Sequence, residues 1–271
     1  MTGRAQIEAR KWFVTMKVAW SQLMAYRLNL MLQIVGPALV FFMIKVNLWT
    51  TLLSRAEGSK FGSYDLSQML HYQSWAFVVS LLIYGFNSQN LAEDIRHGRI
   101  SSYLVYPFGF WQHHAAKFFA FLALQAVVVS VVLAFCYGYS WVPPLTWSFF
   151  LSGLLLSGLM SFVWYNLQFI FGISGFWLDE TWVLRVMFMV LTSFFSGAII
   201  PLDLFPESLR QVLNYTIFPL LTFVPVRLFM GESVGSLWHW AAVLGLWSIG
   251  VFLLAAYLWR KGVRLYTGAG S

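Results

Sequence analysis

The sequence predicts an all-α integral membrane protein with six transmembrane helices. Three observations carry that expectation. Six apolar stretches come close to or exceed the roughly 20 residues a helix needs to cross a hydrocarbon core about 30 Å thick. Of 271 residues, 59% are hydrophobic and only 10% charged, where a soluble chain carries about 25% charge; the mean hydropathy is +0.70. Basic residues also collect in alternate connections, as the positive-inside rule requires of a multi-pass protein.

Taken in order, residues 5–27 predict an amphipathic helix lying in the membrane interface. Ile7, Trp12, Phe13, Met16, Trp20, Leu23 and Met24 recur at three- and four-residue spacings, with Lys11 and Lys17 off the centre of that stripe. The charges in this segment and its lack of a continuous apolar run argue against a signal peptide. The first span is expected at 28–50, with a kink at Gly36-Pro37 and with Lys45 near its outer end. That lysine either snorkels to the headgroups or faces a substrate path. A polar loop follows over 51–68, then a second span at 70–91 and a mixed-charge block that ends in a polar stretch near 114. The third span is placed at 115–138, a tight turn at 139–144, the fourth span at 146–173 and the fifth at 182–200.

Residues 201–231 are apolar but interrupted by Pro201, Pro206, Pro219 and Pro225, which excludes one continuous span. Two short helices, 206–217 and 220–229, are expected to dip into the membrane or lie on it, shielded by protein or by a wet cavity. The sixth span is placed at 237–259, followed by the basic tail Arg260, Lys261 and Arg264. The whole chain, 1–271, reads as one membrane domain. Basic residues from Arg4 to Arg27, Arg96, Arg99, Lys117, Arg185 and the tail fall on one side, which places both termini in the cytoplasm. Trp49, Tyr64, Trp141, Trp147, Trp238 and Trp240 then mark the outer boundary, and Trp12, Trp20, Trp111, Trp177 and Trp259 the inner one.

The net charge of +7 is spread over membrane-flanking segments. It reads as a topology signal and a match to anionic headgroups, not as a nucleic-acid surface. The single cysteine, Cys136, excludes an intrachain disulfide. Phosphate-cradling glycine loops and metal-binding Cys/His spacings do not occur. The adjacent His113 and His114 would point about 100° apart on a helix. Gly172-Ile173-Ser174-Gly175 resembles the nucleophile motif of rhomboid intramembrane proteases, with His239 on the sixth span as the only partner. Spans four and six run in the same direction, so Ser174 and His239 should lie about a membrane thickness apart, roughly 30 Å. A serine–histidine dyad needs about 3 Å, so the expected role of these small residues is helix packing or a helix end.

The block at 93–107 is more informative. Glu93, Asp94, Arg96 and Arg99 share a short segment with Ile95, Ile100, Tyr103 and Leu104, and Pro107 would stop its helix. Apolar anchors with charges of both signs suit a docking helix, in which the charges set register; a solvated loop is the plainer alternative.

The succession EDIRHGRISSYLVYP after the second span, and SGAIIPLDLFPESLRQVLNYTIFPLLTFVPVRLFMG after the fifth, resemble the ABC-2 type permeases, the six-span membrane subunits of ABC exporters. Gly98 and Pro107 match the first pattern; Gly197, Pro201, Pro206, Pro219, Pro225 and Gly231 match the second. The resemblance covers nearly the whole chain, and the polar loop at 51–68 departs from it. It implies a half-transporter of the bacterial inner membrane, paired with a second copy or a paralogue and with ABC ATPase subunits. ATP and Mg would sit on the ATPase and no cofactor on this chain. Glu93, Asp94, Ile95, Arg96, Gly98, Arg99, Tyr103 and Pro107 would form the coupling helix. The substrate path would run between subunits past Phe41, Phe42, Phe188, Phe194 and Phe195, for a lipidic or amphipathic cargo. An ATP-independent channel or scaffold and an intramembrane serine hydrolase are the alternatives.

Overall fold

A computed structural model of the chain describes residues 2–55, 60–84, 89–105, 108–138 and 146–266. Twelve α-helices occur among them. Helix α1 (Thr2–Ala25) packs along α6 (Phe110–Gly138), with Tyr26 as a turn before α2 (Arg27–Arg55). Helix α2 runs as one element through Pro37 and ends five residues beyond the expected span. Among the described residues, three helical stretches are long and apolar enough to cross a membrane: Phe110–Ala134 of α6, the segment from Trp147 to Phe176, and α12 (Leu237–Leu265). Helix α8 (Trp182–Phe195) is apolar but shorter.

The loop expected at 51–68 has structure of its own. A small antiparallel hairpin, β1 (Lys60–Phe61) and β2 (Tyr64–Asp65), turns through Gly62 at φ +62°. It leads into α3 (Leu66–Ile83), four residues ahead of the predicted start. The cause is a capping box. Asp65 Oδ1 accepts from the Gln68 N–H at 2.7 Å, and Gln68 Oε1 accepts from the Asp65 N–H at 3.1 Å, satisfying backbone donors that a helix start leaves orphaned. Helix α3 is the central pillar. Met69, Tyr72 to Val79 and Leu81 to Ile83 are all buried, and α2, α6, α7 (Trp147–Ile173) and α11 (Phe223–Phe229) pack around it.

Two buried clusters divide the core. The larger joins α3 to α7 and the proline-broken segment through Trp75, Tyr72, Met160, Leu221 and Val224. The smaller joins α4 (Gln89–Arg96) and α5 (Ile100–Val105) to α6, α7 and α12 through Leu91, Ile95, Ile100, Phe118, Phe169 and Ala255. Trp49, Tyr64 and Trp240, expected in an interfacial belt, are core residues at 3%, 3% and 8% exposure. Trp147 and Trp238 do face outward, while Trp141 and the turn at 139–144 lie outside the described residues. The basic end, Arg260 to Arg264, continues α12 rather than forming a separate tail.

Candidate functional site

The mixed-charge block folds as two short helices instead of the one expected over 93–107. Gly98, at φ +69°, sits just beyond α4, a left-handed conformation that glycine adopts at helix ends without strain. The Tyr266 hydroxyl donates to Gly98 O at 2.7 Å and lies 2.8 Å from Ser101 Oγ. The end of the chain therefore clasps the α4–α5 turn.

The apolar side chains of this block correct one expectation. Ile95 and Ile100 are 6% and 0% exposed, packed in this chain's own core. They anchor the segment to its bundle, so they do not offer a grip to a partner. Tyr103 is half-buried against Phe110, His113 and His114. The Leu104 side chain and Pro107 lie outside the described residues. Asp94 is largely covered and pairs with Arg99 at 2.8 Å, while Arg96 approaches Glu180 at 3.7 Å. What faces outward is Arg96, His97, Arg99, Ser101, Ser102 and Val105, with Glu93 half-buried. Both arginines on this surface have an acidic partner within the chain, Asp94 for Arg99 and Glu180 for Arg96.

The Gly172–Gly175 motif is the bed on which α4 rests. A Cβ at Gly172 would lie 2.8 Å from both Cβ and Cγ of Leu91 and closer still to its Cδ2; one at Gly175 would lie 3.4 Å from the Ala92 Cα. Ser174 Oγ donates to Phe171 O at 2.7 Å. His239 Nε2 lies 3.1 Å from Asn214 O, at the opposite end of α12. Gly262 lies against Phe176, Trp259 against Phe169, and Phe252 and Phe162 share Trp111, so α7 and α12 run parallel, and the twenty residues from His239 to Trp259 span about 30 Å. No dyad forms. Among the described residues, no three His, Cys, Asp or Glu side chains come together as metal ligands.

At the other end, α8 closes on Gly197, at φ +83°. A Cβ there would lie 2.9 Å from the Tyr72 hydroxyl, which donates to Gly197 O at 2.7 Å. Beyond it come a 3-10 turn (Leu202–Leu204) and three helices, α9 (Glu207–Leu213), α10 (Phe218–Leu221) and α11, in place of the two expected. Pro201, Pro219 and Pro225 are buried and Pro206 is exposed. Helices α10 and α11 are shielded by α3, α7 and α8, while α9 is largely exposed. Sequence reasoning missed what locks it. Asp203 Oδ2 accepts from the Tyr64 hydroxyl at 2.8 Å and from Arg227 Nη1 at 2.9 Å, and Arg227 Nε pairs with Glu232 at 2.5 Å. Burial, aided by the Asp203 carboxylate, pushes the Tyr64 phenol up, keeping it a donor. Burial pulls the Arg227 guanidinium down, but Asp203 and Glu232 outweigh it and hold the group above its ordinary value. The hairpin carrying Tyr64 thus joins the loop at 51–68 to the proline-broken segment.

The five phenylalanines placed on a path separate. Phe41 and Phe42 line a cavity of about 300 Å³ between α2, α3, α7 and α8. Phe42 also stacks on Phe77, with centroids 5.0 Å apart. Phe188 packs on Trp164, Phe195 meets Phe218, and Phe194 is exposed; the described cavity lining includes none of these three. Lys45 lines the cavity and donates to Ala198 O at 2.8 Å, so it does not reach out to headgroups. Gln73 Oε1 and Thr192 Oγ1, on other walls, are buried without a partner among the described residues.

A protein-family model described as ABC-2 family transporter protein matches residues 35–270. The chain belongs to that family. It is accordingly a multi-pass membrane permease of an ABC transporter, a transporter's membrane component. A search of curated proteins found no match to the chain. Within this family frame, the α4–α5 surface and the proline-broken segment, set at opposite ends of α7, are the two features to which function has to be assigned.

Proposed function

We propose that this chain is one of two permease subunits, identical or paralogous, of an ATP-driven bacterial exporter in the inner membrane. Six spans are read as α2, α3, α6, α7, α8 and α12, with α1 in the interface, the proline-broken segment outside and both termini in the cytoplasm. ATPase subunits would hold ATP and Mg and dock on α4–α5. The observation that carries this reading is the build of α4–α5: a polar outer edge at Arg96, His97 and Arg99, two of them charged, on a segment riveted to the bundle by Leu91, Ile95 and Ile100. A rigidly anchored charged edge transmits displacement, whereas a solvated loop does not. The cargo is lipidic or amphipathic, in keeping with a cavity of aromatic walls and a few polar groups; Phe41 and Phe42 remain its assigned path residues.

The test is copurification with the cognate ATPase. Arg96→Glu with His97→Glu changes outward groups and replaces one exposed ion pair, Arg96 to Glu180 at 3.7 Å, by an exposed like-charge pair, a change worth little at such exposure. Insertion should therefore hold and the melting temperature should shift only slightly while ATPase association falls. Asp94 is a poor choice for this purpose, since it serves the internal turn. Unchanged association would remove the coupling role, and purification alone with a stable size would favour a channel or scaffold.

A further inference from the structure

A second and larger concavity lies away from the features above. It is a cleft of about 850 Å³ between α1, α5 and the first two turns of α6. Four cations converge on it: Arg10, Lys11, Arg99 and Lys117. Two are already answered within the chain, Lys11 by Glu8 at 2.7 Å and Arg99 by Asp94 at 2.8 Å. Arg10 and Lys117 form no ion pair with a described residue. The walls between them are apolar, with Ile7, Val14, Val18 and Phe108 among the lining residues.

Charge and surface together select the occupant. A groove with two surplus cations set among aliphatic walls is complementary to an anion that carries hydrocarbon. The same helix that supplies Arg10 leaves Ile7, Phe13, Val14 and Val18 at 57%, 67%, 49% and 52% exposure, a surface suited to acyl chains. Lys117 lies seven residues, about 10 Å, along α6 from Phe110, within reach of the headgroup layer by snorkelling. We propose that this cleft binds one anionic phospholipid. Its phosphodiester sits between Arg10 and Lys117, and its chains lie along Val14 and Val18. The bound lipid would bridge α1 to Arg99 in the α4–α5 turn and to Tyr103 on α5, tying the charged surface to the composition of the adjoining leaflet. The site does not depend on the exporter reading, because lipid binding needs no ATPase.

Native mass spectrometry of the purified, delipidated chain tests it. Phosphatidylglycerol added back should form a one-to-one adduct at least about tenfold tighter than phosphatidylcholine, the scale two cations confer at a charged lipid surface. Arg10→Gln with Lys117→Gln should erase that preference. Arg55→Gln with Lys60→Gln, on the other side of the bundle, should leave it intact. Amine labelling of the unmodified chain gives a readout that needs no variant: phosphatidylglycerol, but not phosphatidylcholine, should protect Lys117. Equal affinity for the two lipids, a retained preference in the Arg10/Lys117 variant, or unprotected Lys117 each overturns the proposal. Displacement of the lipid by equimolar glycerol phosphate would also overturn it, by showing a site for a free phosphoryl group.

Discussion

Seating α4 on a glycine makes a sharp prediction, because α7 contains an internal control. At Gly172 an added Cβ lies 2.8 Å from the Leu91 Cβ, while ordinary carbon–carbon contact needs about 3.5–4.0 Å. Rotating Leu91 moves its Cδ atoms but not its Cβ, so relief requires the two helix backbones to part by roughly 0.7–1.2 Å. Overpacking of that kind costs about 1–3 kcal/mol. At Gly158, on the same helix, an added Cβ meets nothing within 4 Å. Both substitutions by alanine gain the same helix propensity, about 1 kcal/mol, so their difference isolates the clash. Gly172→Ala should therefore melt roughly 2–12 °C below Gly158→Ala in the same detergent. Adding Leu91→Ala removes the contacts with Cγ and Cδ2 but keeps the one with Cβ, so rescue of the clash should be partial. Equal melting temperatures for Gly172→Ala and Gly158→Ala would refute the argument that α4 rests on this glycine.

Three further outcomes follow from contacts already described. Arg227→Met strands Asp203 and Glu232, each about a quarter to a third exposed; it should destabilise by about 1–3 kcal/mol, below the fully buried case, and adding Asp203→Asn should return part of the loss in thermal melts. Tyr266→Phe removes the clasp on the Gly98 turn, costing about 0.5–1.5 kcal/mol, and should speed amide hydrogen exchange at residues 97–101 more than elsewhere. Ser174→Ala removes only a hydroxyl bonded to its own helix and should leave melting and transport within error, whereas loss of a hydrolytic activity in that variant would revive the protease alternative.

The candidate site was legible in part. Mixed charge after the second apolar stretch identified the segment, but one dimension of sequence cannot say which charges answer each other. Asp94 and Arg99 are five residues apart yet meet across a glycine turn, and Tyr266 reaches that turn from the far end of the chain. Ile95 and Ile100 looked available because an apolar side chain near charge is equally consistent with facing a partner or facing inward. The Asp203–Arg227–Tyr64 network was invisible for a related reason: its members are 139 and 24 residues apart. One signal was present and overlooked. Asp203 and Arg227 are charged groups placed inside an apolar, proline-rich stretch, and such groups persist only where partners satisfy them. The Gly172–Gly175 motif carried its meaning openly, since small residues permit close approach.

Helix α3 explains why the fold was readable in order but not in boundary. Gln68, His71 and Gln73 lower its hydropathy, and α3 is not one of the three stretches that meet the length and apolarity required of a span. Yet most of its residues are buried, Gln73 and Ser74 at 0% and 2% exposure among them. A span facing lipid must be apolar because hydrocarbon cannot hydrogen-bond. A span facing protein has a different requirement: each polar group needs a partner. Gln73 Nε2 donates to Ile199 O at 3.2 Å, Ser74 Oγ to Leu70 O at 2.8 Å and Tyr72 to Gly197 O. Two of these three bonds reach the segment after α8, so the polarity that weakens α3 as a hydropathy signal is what fixes the proline-broken segment to the centre of the bundle. Composition thus misjudges a central helix in the direction opposite to its burial. The capping box at Asp65 and Gln68, which depends on no lipid at all, is the sequence feature that marks where it begins.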